Sequence, residues 1–228
     1  KHLRLFWKHV MRADKEMKHL IVGYGEVGKA LHEVLGDAFV VDINGGTWSG
    51  EEVDCVHICI PYTNNFDSIV KQYTSELLIV HSSVPVGTCD RLGVVHSPIR
   101  GVHPNLVSGI RTFVKFFGGK GADWASAIFE GLGIETRVCK DARTTEAMKL
   151  WDTAQFRSPI TLETETYEWC EKNKVDFDDV YTMANKSYNE GYMKLGRPEV
   201  VRPYLKHMPG KIGGHCVIPN AKLLKIKL

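Results

Sequence analysis

An apolar, strand-like run, His19-Leu20-Ile21-Val22, is followed at once by Gly23-Tyr24-Gly25-Glu26-Val27-Gly28. The third glycine lies at the start of an amphipathic helical pattern carrying Val27, Ala30, Leu31, Val34 and Leu35. No other feature constrains the fold as strongly. In a strand-glycine-helix unit the first glycine permits the tight turn, the second lets backbone approach a pyrophosphate, and the third lets the helix pack closely on the strand. The helix N-terminus adds amide donors and a positive dipole end. The pattern therefore predicts a βαβ unit that binds a dinucleotide through Gly23, Tyr24, Gly25, Glu26, Val27 and Gly28.

Asp42 ends the second apolar run, at the separation where a carboxylate accepts hydrogen bonds from the adenosine ribose. It would repel a ribose phosphate, and Ile43, Asn44 and the following glycines supply no arginine to receive one. This predicts NAD rather than NADP as cofactor.

Strand-like and helical segments then alternate: AFVVDIN, DCVHICI, a polar helix near Asn64 to Ser75, and LLIVHSS. Short continuous apolar runs suit parallel strands buried on both faces. Only Asn44 to Val53, with three glycines, joins the second strand to the third, too little for a full crossover helix. Further strands are expected in VVHSPI, TFVKFFG and ETRVCK, with a helix over Asp123 to Leu132 between the last two. Beyond that the pattern is helical: Thr144 to about Arg157, a kink or new helix at Ser158-Pro159 running to Lys174, and a helix capped by Asp176. The expected fold is α/β, a doubly wound Rossmann-type parallel sheet followed by a smaller all-helical domain. The expected boundaries are an N-terminal extension over 1–16, an NAD-binding domain over 17–142, and a helical central or dimerisation domain over 143–228.

A net charge of +2 gives no field for nucleic acid or an anionic membrane, and no apolar run is long enough to span a bilayer. The expectation is a cytoplasmic protein acting on a small molecule. Six cysteines without metal or disulfide spacing read as reduced thiols. Among them only Cys216, preceded by Gly213-Gly214-His215, has a context that asks for chemistry. His96, His103 and His215 lack recognisable metal-site spacing, so no metal is expected.

Several phrases together resemble the UDP-glucose/GDP-mannose dehydrogenase family. They are His57-Ile58-Cys59-Ile60-Pro61, Ser82-Ser83-Val84-Pro85-Val86-Gly87-Thr88, Glu146-Ala147-Met148-Lys149-Leu150 and, most specifically, Ile212-Gly213-Gly214-His215-Cys216. The resemblance implies oxidation of a nucleotide-sugar alcohol to a carboxylate by two NAD molecules, through an aldehyde captured by a cysteine. It implies Ile60, Pro61, Ser82 and Ser83 as cofactor contacts, Cys216 as nucleophile, Lys149 as the cation that stabilises a developing oxyanion, and Ser83 as a holder of water or nicotinamide. Each has a plainer alternative: Cys216 as a structural cysteine in a glycine turn, Lys149 in a surface ion pair with Glu146, Ser83 as a helix cap.

Departures from the family fall on its chemistry. Thr153 stands for its helix asparagine, Asn220 for its carboxylate after the cysteine, and Ile99 for its loop glutamate. The sequence also stops at Leu228, where the family continues into a nucleotide-sugar-binding domain. The leading expectation is a divergent NAD-dependent dehydrogenase acting on a nucleotide sugar or sugar acid. The alternatives are a single-oxidation hydroxyacid dehydrogenase and a non-oxidising NAD-binding regulatory or structural protein. Apolar positions between Thr144 and Lys174 that need cover predict a homodimer.

Overall fold

The computed structural model describes residues 17–208 and 217–224, with the side chains of Phe156, Val217 and Ile218 excepted. The chain divides at Lys149/Leu150 into two compact units. The extension over 1–16 and the loop ending in Cys216 lie outside the described residues.

In the first unit, β1 (His19–Val22), β2 (Phe39–Asp42), β3 (Gly45–Gly46), β4 (Cys55–Ile58), β5 (Leu77–Val80) and β6 (Val95–His96) form one sheet in the order β3-β2-β1-β4-β5-β6. All pairs are parallel except β2 with β3. The apolar runs become strands because both faces are covered. Leu20, Val22, Val56, Ile58 and Val80 pack on one side with Phe66 and Val70. Ile21, Cys55, Leu77 and Ile79 pack on the other with Leu31, Phe117 and Phe129. Burial of this kind is the main favourable term in holding a doubly wound sheet.

The short glycine-rich connection after β2 is the hairpin into β3, where a Cβ on Gly46 would lie 2.1 Å from the Val40 carbonyl oxygen. Helix α1 (Glu26–Leu35) follows the first glycine loop, and short helices α2 (Phe66–Val70), α3 (Thr88–Leu92) and α4 (Leu106–Thr112) follow later strands. The polar helix expected near Asn64 to Ser75 shrinks to the five residues of α2. The strand expected in VVHSPI is only β6, because Pro98 has no amide to continue a ladder. A second parallel pair, β7 (Lys115–Phe117) with β8 (Thr136–Val138), flanks α5 (Ala122–Gly131), and Gly118 bridges antiparallel to His96.

Helix α6 (Ala142–Asn173) begins in the first unit and continues into the second. Of the kink or new helix expected at Ser158-Pro159, the new helix is corrected: Pro159 lies inside one continuous helix. Burial of Leu150 before the proline and of Glu163 and Cys170 after it outweighs the local penalty of the missing amide. The described remainder of the second unit is helical, with a π-turn over Asp178–Met183, α7 (Ala184–Lys194), a short turn over Pro198–Val200 and α8 (Val217–Leu224). Asp176 caps as expected, its Oδ1 accepting from the Asp179 amide at 2.9 Å. Among the described residues no helix is long and apolar enough to cross a membrane.

Candidate cofactor and active site

From β1 the chain passes to β2 on one side, while β4, β5 and β6 extend on the other. A crevice must therefore open beyond the C-terminal ends of β1 and β4, where open α/β sheets bind ligands. The glycine loop leaves β1 at that point. Gly23 has φ +94°, and a Cβ there would lie 2.8 Å from the Ile60 side chain and 2.9 Å from the Cys59 backbone. A Cβ on Gly28 would lie 2.0 Å from the Gly23 carbonyl oxygen, whereas one on Gly25 would meet nothing within 4 Å. The outer glycines thus close the turn and seat α1, and the middle one leaves open space. Gly25 also caps α1 without a side chain, so the first amides of the helix stay available to an anion.

Gly28→Ala is expected to destabilise the sheet unit by about 3 kcal/mol and abolish dinucleotide binding, since neither backbone can yield. Thermal melting checks this; a wild-type melting temperature would refute the tight packing.

Asp42 sits beside this loop. Its Oδ2 accepts from the Tyr24 amide at 2.7 Å, and its Oδ1 accepts from the Asn44 amide at 3.1 Å. The Tyr24 amide, then the Asn44 amide, hold its pKa below the ordinary carboxylate value, so it carries a full negative charge. The groove around it is lined by Tyr24, Lys29, His32, Val40, Asn44 and Thr47. Glu26, in the first turn of α1, meets His103 Nδ1 at 2.5 Å, and Val27 is partly buried against the core. These residues fit a dinucleotide: open space over Gly25, unpaired helix amides, and a carboxylate at the ribose position.

Ile60 and Pro61 follow β4, and Ser82 and Ser83 follow β5, so all four stand at the same end of the sheet. Ser82 Oγ donates to the Ile60 carbonyl at 2.6 Å, tying the two loops together. Ser83 is not the cap of α3: its cap residue is Gly87, and α3 is served by Glu146. The Glu146 carboxylate accepts from the Gly87 amide at 2.5 Å and the Cys89 amide at 2.7 Å. Burial raises its pKa, while those two amides lower it. Glu146 is fully buried, which corrects the picture of a surface partner for Lys149.

Lys149 Nζ donates to the Ile99 carbonyl at 2.9 Å. The lysine is therefore held against the loop that carries Ile99. In the second unit Asn220 Nδ2 donates to Thr153 Oγ1 at 3.1 Å. Asn220 is buried there, so a neutral pair occupies positions that were read as divergent.

The supporting roles of two residues, His96 and Glu146, escaped sequence reasoning. His96 is buried, donating from Nε2 to the Ser82 carbonyl at 3.2 Å and meeting the Thr145 hydroxyl through Nδ1 at 2.9 Å. Together with Glu146 it clamps both ends of the Ser82–Gly87 loop. The signal was present in the helical spacing of Thr145, Glu146 and Lys149, which reach back to His96, to this loop and to Ile99 in turn.

No protein-family model matches the chain. A curated relative, the UDP-N-acetyl-D-mannosamine dehydrogenase of Methanocaldococcus jannaschii, is 24% identical over 197 residues, covering 73% of this chain and 43% of the relative. The chain thus spans less than half the length of that relative. Among solved structures, the UDP-D-ManNAc dehydrogenase of Pyrococcus horikoshii superposes with TM-score 0.72 at 16% identity, covering 91% of this chain and 63% of that one. The UDP-N-acetyl-mannosamine dehydrogenase of Staphylococcus aureus gives TM-score 0.63 at 23% identity, covering 91% and 66%. At these identities the structural likeness shows the fold.

Proposed function

We propose that this chain, a relative of the nucleotide-sugar dehydrogenases, binds NAD and oxidises the alcohol of a sugar-type small molecule by hydride transfer. The observation that carries the reading is the charged Asp42 carboxylate, hydrogen-bonded to the Tyr24 amide beside the open backbone of Gly25 at the switch point of the sheet.

Bound NAD supplies the hydride acceptor. Asp42 orients the adenosine ribose, and the amides at the start of α1 meet the pyrophosphate. Ile60, Pro61, Ser82 and Ser83 border the nicotinamide end. Lys149, positioned by the Ile99 carbonyl, holds the substrate oxygen by its ammonium group and stabilises negative charge developing as the hydroxyl proton leaves. Cys216 is the nucleophile that would add to a first-formed aldehyde; loss of a hydride from that thiohemiacetal to a second NAD, with its hydroxyl proton passing to solvent, would give a thioester, which water then hydrolyses.

Asp42→Ala is expected to weaken NAD binding about 10- to 100-fold, the equivalent of one charge-assisted hydrogen bond of about 1.5–3 kcal/mol. Calorimetric titration checks this, and unchanged affinity would remove Asp42 from the cofactor site. The function is tested by NADH absorbance across nucleotide sugars, sugar alcohols and hydroxy acids, with Cys216→Ala beside the native protein. Two NADH per substrate, reduced to one in the variant, supports the thioester route.

A second reading, an NAD-binding protein that does not oxidise, is favoured by the neutral Asn220–Thr153 pair and by buried Ile99 in place of acidic groups. NAD binding with no reduction across the panel would select it. The second unit exposes Trp151, Leu162 and Trp169 along α6, which supports a homodimer, to be checked by light scattering.

A further inference from the structure

Buried side chains with no part in the cofactor reading form a row that starts at the other end of the same sheet. His19 opens β1 and Cys55 opens β4, and the parallel register sets them opposite each other. His57 stands two residues beyond Cys55, on the same face of β4, since side chains alternate along a strand. His81 follows the last residue of β5, one pleat beyond Ile79, the register partner of His57. The three histidines therefore run diagonally across one face of the sheet, each one step further along the next strand.

The row has a defined proton order. His81 Nδ1 lies 2.8 Å from the Ser97 carbonyl oxygen, which can only accept, so Nδ1 carries the proton and Nε2 is a lone pair. His57 Nδ1, at 3.0 Å, must then donate to His81 Nε2. That leaves the lone pair of His57 Nε2 facing His19 Nδ1 at 3.1 Å and Cys55 Sγ at 3.4 Å. All three side chains are buried, and their ligand atoms lie within 4.8 Å of one another.

These spacings are those of a coordination sphere. Zinc bonds of about 2.0–2.1 Å to nitrogen and about 2.3 Å to sulfur, at tetrahedral angles, give edges of about 3.3 Å for N···N and about 3.6 Å for N···S. The two measured edges lie close to both values, and the third closes by a modest side-chain movement. We propose that His19 Nδ1, Cys55 Sγ and His57 Nε2 form a binding site for a borderline divalent cation of the zinc class.

The His57–His81–Ser97 chain supplies the outer support, because a ligating imidazole ordinarily donates its other N–H to a fixed acceptor. His57 is already in the ligating tautomer. His19 ligates as its Nε2–H tautomer without losing a net proton, and Cys55 releases its thiol proton to solvent as the metal–sulfur bond forms. One proton thus leaves per ion bound. Asp54, whose charge acts on both His19 and Cys55, balances the positive charge left on the metal–thiolate pair. A bound ion would join β1 to β4, the two central strands, at the end remote from the glycine loop.

The test uses the full chain, stripped with a chelator and titrated with zinc sulfate by calorimetry in buffers of different ionisation enthalpy. Cobalt(II) is titrated in parallel by absorption. The expected result is one ion per chain, about one proton released, and a thiolate-to-cobalt charge-transfer band. Cys55→Ser abolishes the band and His81→Phe weakens binding about 10- to 100-fold, whereas Cys216→Ser leaves both unchanged. Should Cys55→Ser fail to fold, His19→Gln, checked by circular dichroism, carries the same expectation at the edge of the cluster. Absence of binding by the native chain overturns the proposal. So does binding that persists in the folded Cys55 or His19 variant, or that depends on Cys216 instead.

Discussion

Lowering the pH from 7 to 5 is expected to unfold the sheet unit in one cooperative transition. His57, His81 and His96 are buried in it, and burial is the largest cause holding each below the usual imidazole value, His96 at about 4. His19 is lowered by burial as well, against the opposing charge of Asp54. In the unfolded chain each would take a proton near pH 6.5. As pH falls below that value the unfolded state binds protons that the folded state refuses, so stability present above pH 6.5 is lost progressively, down to about 4 for His96. Three such groups cost about 4 kcal/mol per pH unit, against a typical domain stability of about 5–15 kcal/mol.

Lys115, lowered to about 7 by burial, has the same sign at higher pH, so its contribution is already spent by neutrality. Glu146, raised by burial, acts in the opposite sense within the same window, as pH falls towards the ordinary carboxylate value, but it is a single group. Circular dichroism against pH reads the transition. His81→Phe should reduce the steepness by about one proton. Stability that stays flat from pH 7 to 5 would show that the histidines are not buried as described.

Glu146→Ala is expected to cost about 3–5 kcal/mol, because it leaves the Gly87 and Cys89 amides buried without an acceptor. Glu146→Gln should recover little. One of its two positions becomes an amide NH2, which cannot accept from a backbone N–H. The loss would appear as a lower urea midpoint in both variants, accompanied by weaker NAD binding as the Ser82–Gly87 loop loosens. A glutamine variant as stable as the native chain would show that two acceptors are not needed there.

The sheet was legible because continuous apolar runs and a glycine loop leave few arrangements open. That no crossover helix follows Asp42 was equally readable from the short connection, whereas the hairpin into β3 was not called. Pro159 left a new helix open as a reading, since a local penalty of a few kcal/mol is outweighed by burial on both sides that no local pattern displays. The role of Glu146 was hidden for a similar reason. A glutamate three residues before a lysine on a helix reads as half of a surface pair, and only the tertiary fold carries it to the start of α3. Nothing local in the sequence links the histidines at 19, 57 and 81, because their relation depends on register between strands. His96 and His103, considered together at first, have separate partners in Thr145 and Glu26.

The ends of the sheet also bear on how this chain behaves when concentrated. At one side the outermost strand is only Gly45–Gly46, turned antiparallel on β2. At the other, His96 exchanges backbone hydrogen bonds of 2.8 and 3.0 Å with Gly118. An exposed row of unpaired amides is what recruits foreign strands into fibrils, and such a row is cut short on both flanks. Recruitment through either flank of the six-stranded sheet is thereby disfavoured, and acid conditions that charge its histidines are expected to expose strands by unfolding it.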